Sequence, residues 1–318
     1  MKAKHARWMA AAAALLAAAA ALWSVAPVSA QSRWGADYFP NVVLTTQDGA
    51  KVRLYDDLLK GKSVAINLIY TSCTDVCPLE TAKLVQVQKL FGERMGRDIF
   101  FYSIAIDPWD TPKDLKAYAQ KFGVGPGWLF LSGKPEDIKL ITRKLGLSRA
   151  SDADNIDGHS ASLMVGNVPA GQWMRNSAID NPQFLATTIG NFLGWRNAKA
   201  GQSYAEARPL AVDKGQFLFQ SRCSACHTVG GGDRLGPDLL GVTTRRERDW
   251  LARYLAQPEQ MLAAGDPIAT GLFKKYNRVR MPNLELGEAD VASLLSYLEA
   301  RTRANNEQQP GKDAAAAR

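Results

Sequence analysis

Four cysteines fall into two close pairs, and this spacing constrains the 318-residue chain more than any other feature of its sequence. The pairs are Cys73 with Cys77, in IYTSCTDVCP, and Cys223 with Cys226, in CSACH. After the first thirty residues there are two histidines, and each can be matched with one pair: His159 with the first and His227 with the second. So few thiols and imidazoles, grouped in this way, indicate two separate sites rather than scattered structural cysteines.

The C-terminal pair has the spacing that attaches a haem. Thiols at Cys223 and Cys226 lie one turn apart and can form thioethers with two vinyl groups, while His227 presents its imidazole to the iron. A structural disulfide beside an unrelated histidine is the alternative. A mononuclear zinc site would need further ligands, and residues 209–302 contain no other Cys or His. We therefore expect one covalently bound haem c.

The haem iron of an electron carrier needs a sixth ligand, and methionine raises its potential. Two methionines compete for this role. Met281 lies in NRVRMPN, where Pro282 prevents a regular helix, and Met261 lies near a helix end in AQPEQMLAAG. A lone methionine usually fills a core. The loop position favours Met281 as the axial ligand.

The first thirty residues are typical of a secretory signal. A basic start is followed by an apolar run from Trp8 to Val28, and the small residues of VSA at 28–30 suit cleavage after Ala30. An uncleaved membrane anchor is the alternative. Either way we expect an exported, periplasmic protein, with membrane association if the leader is retained.

The net charge does not favour nucleic acid as a partner. Lys2, Lys4 and Arg7 in the leader supply three of the eight net positive charges, which leaves +5 on the mature chain without a dense basic run. Acidic proteins fit such a surface better.

Strand and helix patterns divide the exported part into two domains. Residues 31–195 alternate between apolar strands such as SVAINLIY (63–70) and amphipathic helices, which predicts an α/β sheet covered on both faces. Residues 196–208 lose this periodicity and read as a linker. Residues 209–302 predict a small all-α domain, with helices in LAVDKGQFLFQSRC, RRERDWLARYLAQP and LGEADVASLLSYLEA. The tail at 303–318 is predicted to be disordered because it has little to bury.

The first cysteine pair is placed at a strand-to-helix turn, just after SVAINLIY and before the helix expected from Pro78. Backbone amides and the helix dipole would favour thiolates there. A structural disulfide, a thiol redox catalyst and a metal site remain open on these residues alone. With His159 as a third group, two thiolates and one imidazole form a donor set suited to copper in both oxidation states.

The second domain resembles class I cytochrome c. CSACH, LGPDLLG and RMPNL occur in the order typical of that family. The resemblance implies that Pro237 packs beside the imidazole of His227 and hydrogen-bonds to it through its carbonyl oxygen.

Residues 41–195 resemble the Sco/SenC proteins, thioredoxin-fold copper proteins of the bacterial periplasm and mitochondrial inner membrane. TSCTDVCP matches the CxxxCP motif, SIAIDPWDTP matches the Asp-Pro stretch, and His159 matches the distant histidine, although Gly158 separates it from Asp157. The resemblance implies that Cys73, Cys77 and His159 bind a copper ion. It also implies that Asp107 supports these ligands without binding the metal itself.

The expected function follows from both resemblances. The chain is predicted to be a metallochaperone and electron carrier that assists assembly of the copper A centre of cytochrome c oxidase, with the copper A subunit or another periplasmic copper or thiol protein as partner. Electron-transfer partners would serve its haem. The alternatives are a haem-coupled thiol-disulfide oxidoreductase, which would make it an enzyme, and a redox sensor.

Overall fold

The computed structural model describes residues 34–74, 76–147, 161–195 and 213–308. The leader at 1–30, His159 and the linker predicted at 196–208 lie outside these residues, so the predictions made for them stay predictions. No helix in the described ranges is both long enough and apolar enough to cross a bilayer.

The first domain is built on one mixed sheet in the order β2-β1-β5-β4-β3-β6-β7. Its strands are β1 (Val43–Thr46), β2 (Lys51–Arg53), β3 (Ser63–Ile69), β4 (Phe100–Ala105), β5 (Trp128–Ser132), β6 (Ser162–Asn167) and β7 (Gln172–Ser177). Its helices are α1 (Val76–Phe91), α2 (Pro112–Phe122), α3 (Pro135–Lys144) and α4 (Pro182–Phe192). The pairs β3–β4 and β4–β5 are parallel, and the other neighbours are antiparallel. This is the α/β, thioredoxin-like fold that the sequence predicts.

The sheet is covered on both faces, as the apolar sequence of β3 requires. On one face α1, α2 and α4 pack through side chains that include Val85, Leu115 and Leu185. On the other face a π-helical turn (Leu54–Leu59) and α3 pack through Leu58 and Ile141. Helix α2 begins where its sequence predicts, because the Thr111 side chain accepts a hydrogen bond from the Asp114 N–H in a capping box.

The second domain is helical, and no strand occurs within 213–308. Its elements are α5 (Lys214–Leu218), a π-helical turn (Phe219–Cys223), α6 (Val242–Arg245), α7 (Arg248–Ala256), α8 (Pro258–Ala263), α9 (Pro267–Lys275) and α10 (Glu288–Gln308). The sequence predicted α5, α7 and α10. The sequence did not predict α6, α8 or α9, which have four, six and nine residues.

The close crossing of α5 and α10 depends on a glycine. A Cβ placed on Gly215 would lie 2.1 Å from the backbone oxygen of Ser293 and 2.7 Å from Cβ of Tyr297. The ring of Phe219 then packs against that of Tyr297 at 5.6 Å between centroids. Any larger residue at 215 would force the two helices apart.

The C-terminal boundary differs from the prediction. Thr302 is buried, donates from its hydroxyl to the carbonyl of Leu298 and accepts a 3.0 Å hydrogen bond from the N–H of Gly241. The helix continues from there to Gln308. The prediction of a disordered segment starting at 303 was therefore wrong for residues 303–308, because packing at Thr302 extends α10 by further turns.

Candidate functional site

The first cysteine pair lies where β3 ends and α1 begins. The N–H of Cys73 donates to the carbonyl of Tyr70 at 3.2 Å, which closes the turn after the strand. Cys77 lies in the first turn of α1, fully buried, and its thiol is hydrogen-bonded to that of Cys73. Both sulfurs pack against Tyr70 and Ile106. Two adjacent thiols at one position can form a disulfide or bind one soft metal ion.

The electrostatics of the pair differ from the sequence expectation. The pKa of Cys77 is strongly raised, by its hydrogen bond with Cys73, by burial, and less strongly by the repulsion that a Cys77 thiolate would meet from ionised Cys73 or Glu80. The backbone of Tyr70 opposes this shift only in part. The hydrogen bond with Cys73 and burial therefore together outweigh the helix dipole that was expected to favour thiolates. In the metal-free protein Cys77 is a thiol.

The loop that holds Cys73 is fixed by Asp110, not by Asp107. The carboxylate of Asp110 accepts hydrogen bonds from the backbone N–H of Thr71, at 2.9 Å, and from the Thr71 hydroxyl. Asp107 accepts from the N–H of Trp109 at 3.0 Å and so stabilises its own turn. The Asp-Pro stretch thus supports the cysteine loop through its second aspartate.

A buried polar chain runs through the sheet beside the pair. Trp128 Nε1 donates to the hydroxyl of Ser103 at 2.9 Å, and Ser103 donates to the amide oxygen of Asn67 at 2.7 Å. Glu80, on α1, is almost fully buried near this chain, and within the described residues its carboxyl oxygens have no hydrogen bond of standard geometry. Burial raises the pKa of Glu80 well above its usual value, the Asn67 amide opposes the shift, and the charge of Cys73 adds to it. Glu80 is therefore held as a neutral acid.

The second site begins with a tight turn through CSACH. The N–H groups of Cys226 and His227 both donate to the carbonyl of Cys223, at 3.1 and 3.0 Å. This turn places both thiols and the imidazole along one wall of a cavity of about 330 Å³. The spacing of the motif therefore places all three side chains on the same cavity.

The imidazole of His227 is oriented by its neighbours. Its Nδ1 donates to the carbonyl of Pro237 at 2.9 Å, the contact that the resemblance implies, and this leaves the lone pair on Nε2. Gly236 allows the ring to pack closely, since a Cβ there would lie 2.5 Å from Cε1 of His227. Burial lowers the pKa of His227, partly opposed by the Pro237 hydrogen bond, so the ring is neutral. A neutral, fixed imidazole is what iron coordination requires.

Asp238 holds the loop that presents Gly236 and Pro237. Its carboxylate accepts hydrogen bonds from the Thr228 hydroxyl and from three backbone N–H groups: those of Gly230, Gly232 and Leu240. Burial acts to raise the pKa of Asp238, but these bonds together hold it at about 2. The loop is therefore anchored by a charge that persists at neutral pH.

The two candidate methionines occupy different places. Met281 lines the cavity together with Cys223, Cys226 and His227. Met261 packs in the hydrophobic cluster of the second domain and is absent from the cavity wall. The donor set of two thiols, one imidazole and one thioether around a largely apolar cavity fits a haem c, which Cys223 and Cys226 would attach and whose iron His227 and Met281 would bind.

The two domains contact each other through α1. Leu79, two residues after Cys77, lines the same cavity as His227 and Met281. Further along α1, Lys83 Nζ donates to the carbonyl of Ser221 at 2.6 Å. Gln86 Nε2 donates to the carbonyl of Ala225, inside CSACH, at 2.9 Å. One helix therefore begins with the first cysteine site and forms part of the second.

Comparison with known proteins identifies both halves of the chain. Residues 31–188 match the SCO1/SenC family, and residues 212–302 match the cytochrome c family. The chain belongs to the SCO1/SenC family. It carries a cytochrome c domain after the SCO1/SenC domain, and the two matches lie on either side of the linker predicted at 196–208.

Individual relatives resemble the SCO1/SenC domain. The SCO1 protein homolog of Bacillus subtilis is 30% identical over 146 residues, which is 43% of this chain and 72% of the relative. The mitochondrial SCO1 homolog 1 of Arabidopsis thaliana is 30% identical over 127 residues, 38% of this chain and 37% of the relative. The crystal structure of Arabidopsis thaliana ScoI with copper bound gives a TM-score of 0.40 at 24% identity, covering 48% of this chain and 96% of that one.

Several site residues were not found by sequence reasoning. Gly236 adjoins Pro237 in the GP pair, so the same motif could have indicated it. Asp110 lies in the stretch that was noted for Asp107. Leu79 and Lys83 carry no sequence signal, because their roles arise only when α1 packs against another domain.

Proposed function

We propose that this protein is an exported copper-binding redox protein that assists assembly of the copper A centre of cytochrome c oxidase. In this proposal Cys73, Cys77 and His159 hold the copper, while Cys223 and Cys226 attach a haem that exchanges single electrons with it. Membership of the SCO1/SenC family and the presence of a cytochrome c domain support the proposal.

The observation that carries the proposal is the position of Leu79. It follows the buried pair by two residues and lines the cavity that fits the haem. The proposed copper ligands and the haem cavity are therefore joined through one turn of helix.

Electron counting favours copper as the partner of the haem. Bound haem would supply a one-electron couple, and Cu(II)/Cu(I) is also a one-electron couple. A Cys73–Cys77 disulfide needs two electrons for reduction. The adjacent thiols of Cys73 and Cys77 hold Cu(I), and the imidazole of His159 in the proposed ligand set would accommodate Cu(II).

An exposed aromatic residue supports a docking role beside the pair. Trp109 is 85% exposed, and its neighbour Asp110 is hydrogen-bonded to Thr71 in the cysteine loop. Exposed tryptophans are frequent anchors of protein interfaces. We propose that Trp109 contacts the copper A subunit during transfer.

Copper binding is tested by titrating Cu(I) into the full-length chain against a competing chelator. We expect one tightly bound Cu(I) per chain and loss of binding in Cys73→Ser and Cys77→Ser, whereas Thr74→Ala in the same loop serves as the control. His159→Ala should mainly weaken Cu(II), which a thiol-disulfide oxidoreductase or a redox sensor would not require. Tight one-to-one Cu(II) binding by the Cys73→Ser, Cys77→Ser double variant would rule this site out.

Copper delivery is tested by mixing the copper-loaded chain with a copper-free copper A domain and following the absorption of the assembled centre. Trp109→Ala should slow its appearance without changing copper affinity. Phe184→Ala, which removes another exposed aromatic side chain, is the control. If copper A absorption never develops with the unmodified chain, the delivery role is wrong.

A further inference from the structure

A second cavity, of about 280 Å³, lies between the two domains, and Cys73 forms part of its wall. The SCO1/SenC domain contributes Thr71, Ser72 and Lys121, and the cytochrome c domain contributes Arg278 and Arg280. Cys77 is not in this wall. Of the cysteine pair, Cys73 alone therefore lines the cavity, together with three cationic side chains.

The three cationic side chains act on one another. Burial lowers the pKa of Lys121, and the positive charges of Arg280 and Arg278 lower it further. None of the three forms an ion pair with a carboxylate in the part of the chain that the structure describes. Their charge is thus concentrated on the cavity and is not neutralised by the fold.

One carboxyl group, that of Asp110, is hydrogen-bonded to the cavity wall, but no acidic side chain among the described residues lines the cavity itself. Asp110 uses its two oxygens to accept hydrogen bonds from the backbone and hydroxyl of Thr71. Burial raises the pKa of Asp110, although the Thr71 hydrogen bonds oppose the shift. The wall consequently offers positive charge, hydroxyl groups and one thiol.

The two arginines are held in place by a turn of unusual backbone geometry. Asn277 and Arg278 have φ values of 51° and 56°, in the left-handed region. The N–H of Arg278 donates to the carbonyl of Phe273, and that of Val279 donates to the carbonyl of Tyr276, both at 2.9 Å. These bonds fix the turn that brings Arg278 into the cavity wall, and Arg280 follows it there.

We propose that this cavity binds a low-molecular-mass disulfide that carries carboxylates, and that it places a sulfur of this molecule at Cys73. The cations match the carboxylates, and Cys73 is the attacking thiol because it lines the cavity whereas Cys77 does not. The proposal concerns the copper-free protein and does not depend on the copper function.

The exchange balances without another reagent. Cys73 loses its proton to solvent and attacks one sulfur of the small disulfide, so a mixed disulfide forms at Cys73 and the first small thiolate leaves and is protonated. Cys77 then loses its proton, attacks the sulfur of Cys73 and displaces the second small thiolate. Two protein thiols are oxidised to one disulfide, and one small disulfide is reduced to two thiols.

The test compares three disulfides of different charge on the haem-loaded, copper-free, full-length chain at low ionic strength. Oxidised glutathione is anionic, hydroxyethyl disulfide is neutral and cystamine is cationic. Rates of Cys73–Cys77 oxidation are measured by mass spectrometry after thiol trapping. Each rate is divided by the rate at which the same disulfide oxidises dithiothreitol, which corrects for its intrinsic reactivity. We expect the anionic reagent to be preferred over the cationic one by about tenfold or more, with the preference falling as salt is added.

Charge variants assign the preference to the cavity. Lys121→Gln, Arg278→Gln and Arg280→Gln should each reduce the ratio of anionic to cationic rates by about threefold or more. Lys116→Gln, on α2 but paired with Asp48, should leave the ratio unchanged and is the matched control. Because three cavity variants are compared, the proposal can still be tested if one of them folds poorly. A normalised ratio near one in the unmodified chain, or a ratio that none of the folded cavity variants changes, would overturn the proposal.

Discussion

Lys83 of the SCO1/SenC domain donates a 2.6 Å hydrogen bond from its Nζ to the carbonyl oxygen of Ser221, two residues before Cys223. The same Nζ also donates to the carbonyl of Ile179 in its own domain. The side chain is buried, and burial lowers its pKa. A buried lysine between two domains links the position of CSACH to helix α1.

Lys83→Met should loosen the contact between the domains. It leaves the carbonyl groups of Ile179 and Ser221 without their charged donor, which costs about 1–3 kcal/mol of unfolding free energy. Small-angle scattering should show a larger radius of gyration, and chemical denaturation should show the loss of stability. Lys89→Met, exposed on the same helix, is the control. An unchanged scattering profile and unchanged stability in Lys83→Met would mean that the lysine does not hold the domains together.

Glu80→Gln should change how stability depends on pH in the copper-free protein. The folded pKa of Glu80 is raised above the usual 4.5, so the folded chain keeps a proton that the unfolded chain releases as pH rises. The unmodified protein therefore loses stability above about pH 4.5, by up to about 1.4 kcal/mol per pH unit until the folded pKa is reached.

The amide in Glu80→Gln does not titrate, so the variant does not lose stability in this way. Its stability relative to the unmodified chain should therefore increase from pH 5 to pH 8 in urea denaturation. Glu93→Gln removes an exposed carboxylate just after the end of α1 and should show no such trend. Equal stability differences at both pH values would show that Glu80 is not held as a neutral acid.

Met281→Ala should remove the axial sulfur from the haem iron. Met281 lines the haem cavity, whereas Met261 packs in the hydrophobic cluster. The weak absorption of a sulfur–iron bond near the red end of the oxidised spectrum should disappear in Met281→Ala, and the haem potential should fall. Met261→Ala should keep the band and lose only stability. The reverse pattern would assign the ligand to Met261.

The sequence predicted the elements whose residues carry local signals. The apolar run of β3, the Thr111 cap and the spacing of CSACH each determine structure within a few residues, and each occurs where it was expected. The contacts of Leu79 and Lys83 could not be predicted, because they join residues more than one hundred positions apart across two domains. The raised pKa of Cys77 was also missed, since burial depends on the complete packing around the turn.

The central claim is that the haem and the copper exchange single electrons within one chain. A linker of about fourteen residues gives the two sites an effective concentration near the millimolar range, and the Leu79 contact brings them closer still. The decisive measurement reduces the haem rapidly in protein loaded with Cu(II) and follows haem reoxidation without oxygen. The account predicts a rate that is independent of protein concentration and absent when Cys73 and Cys77 are replaced by serine. A rate that doubles with protein concentration, or that persists without those cysteines, would contradict it.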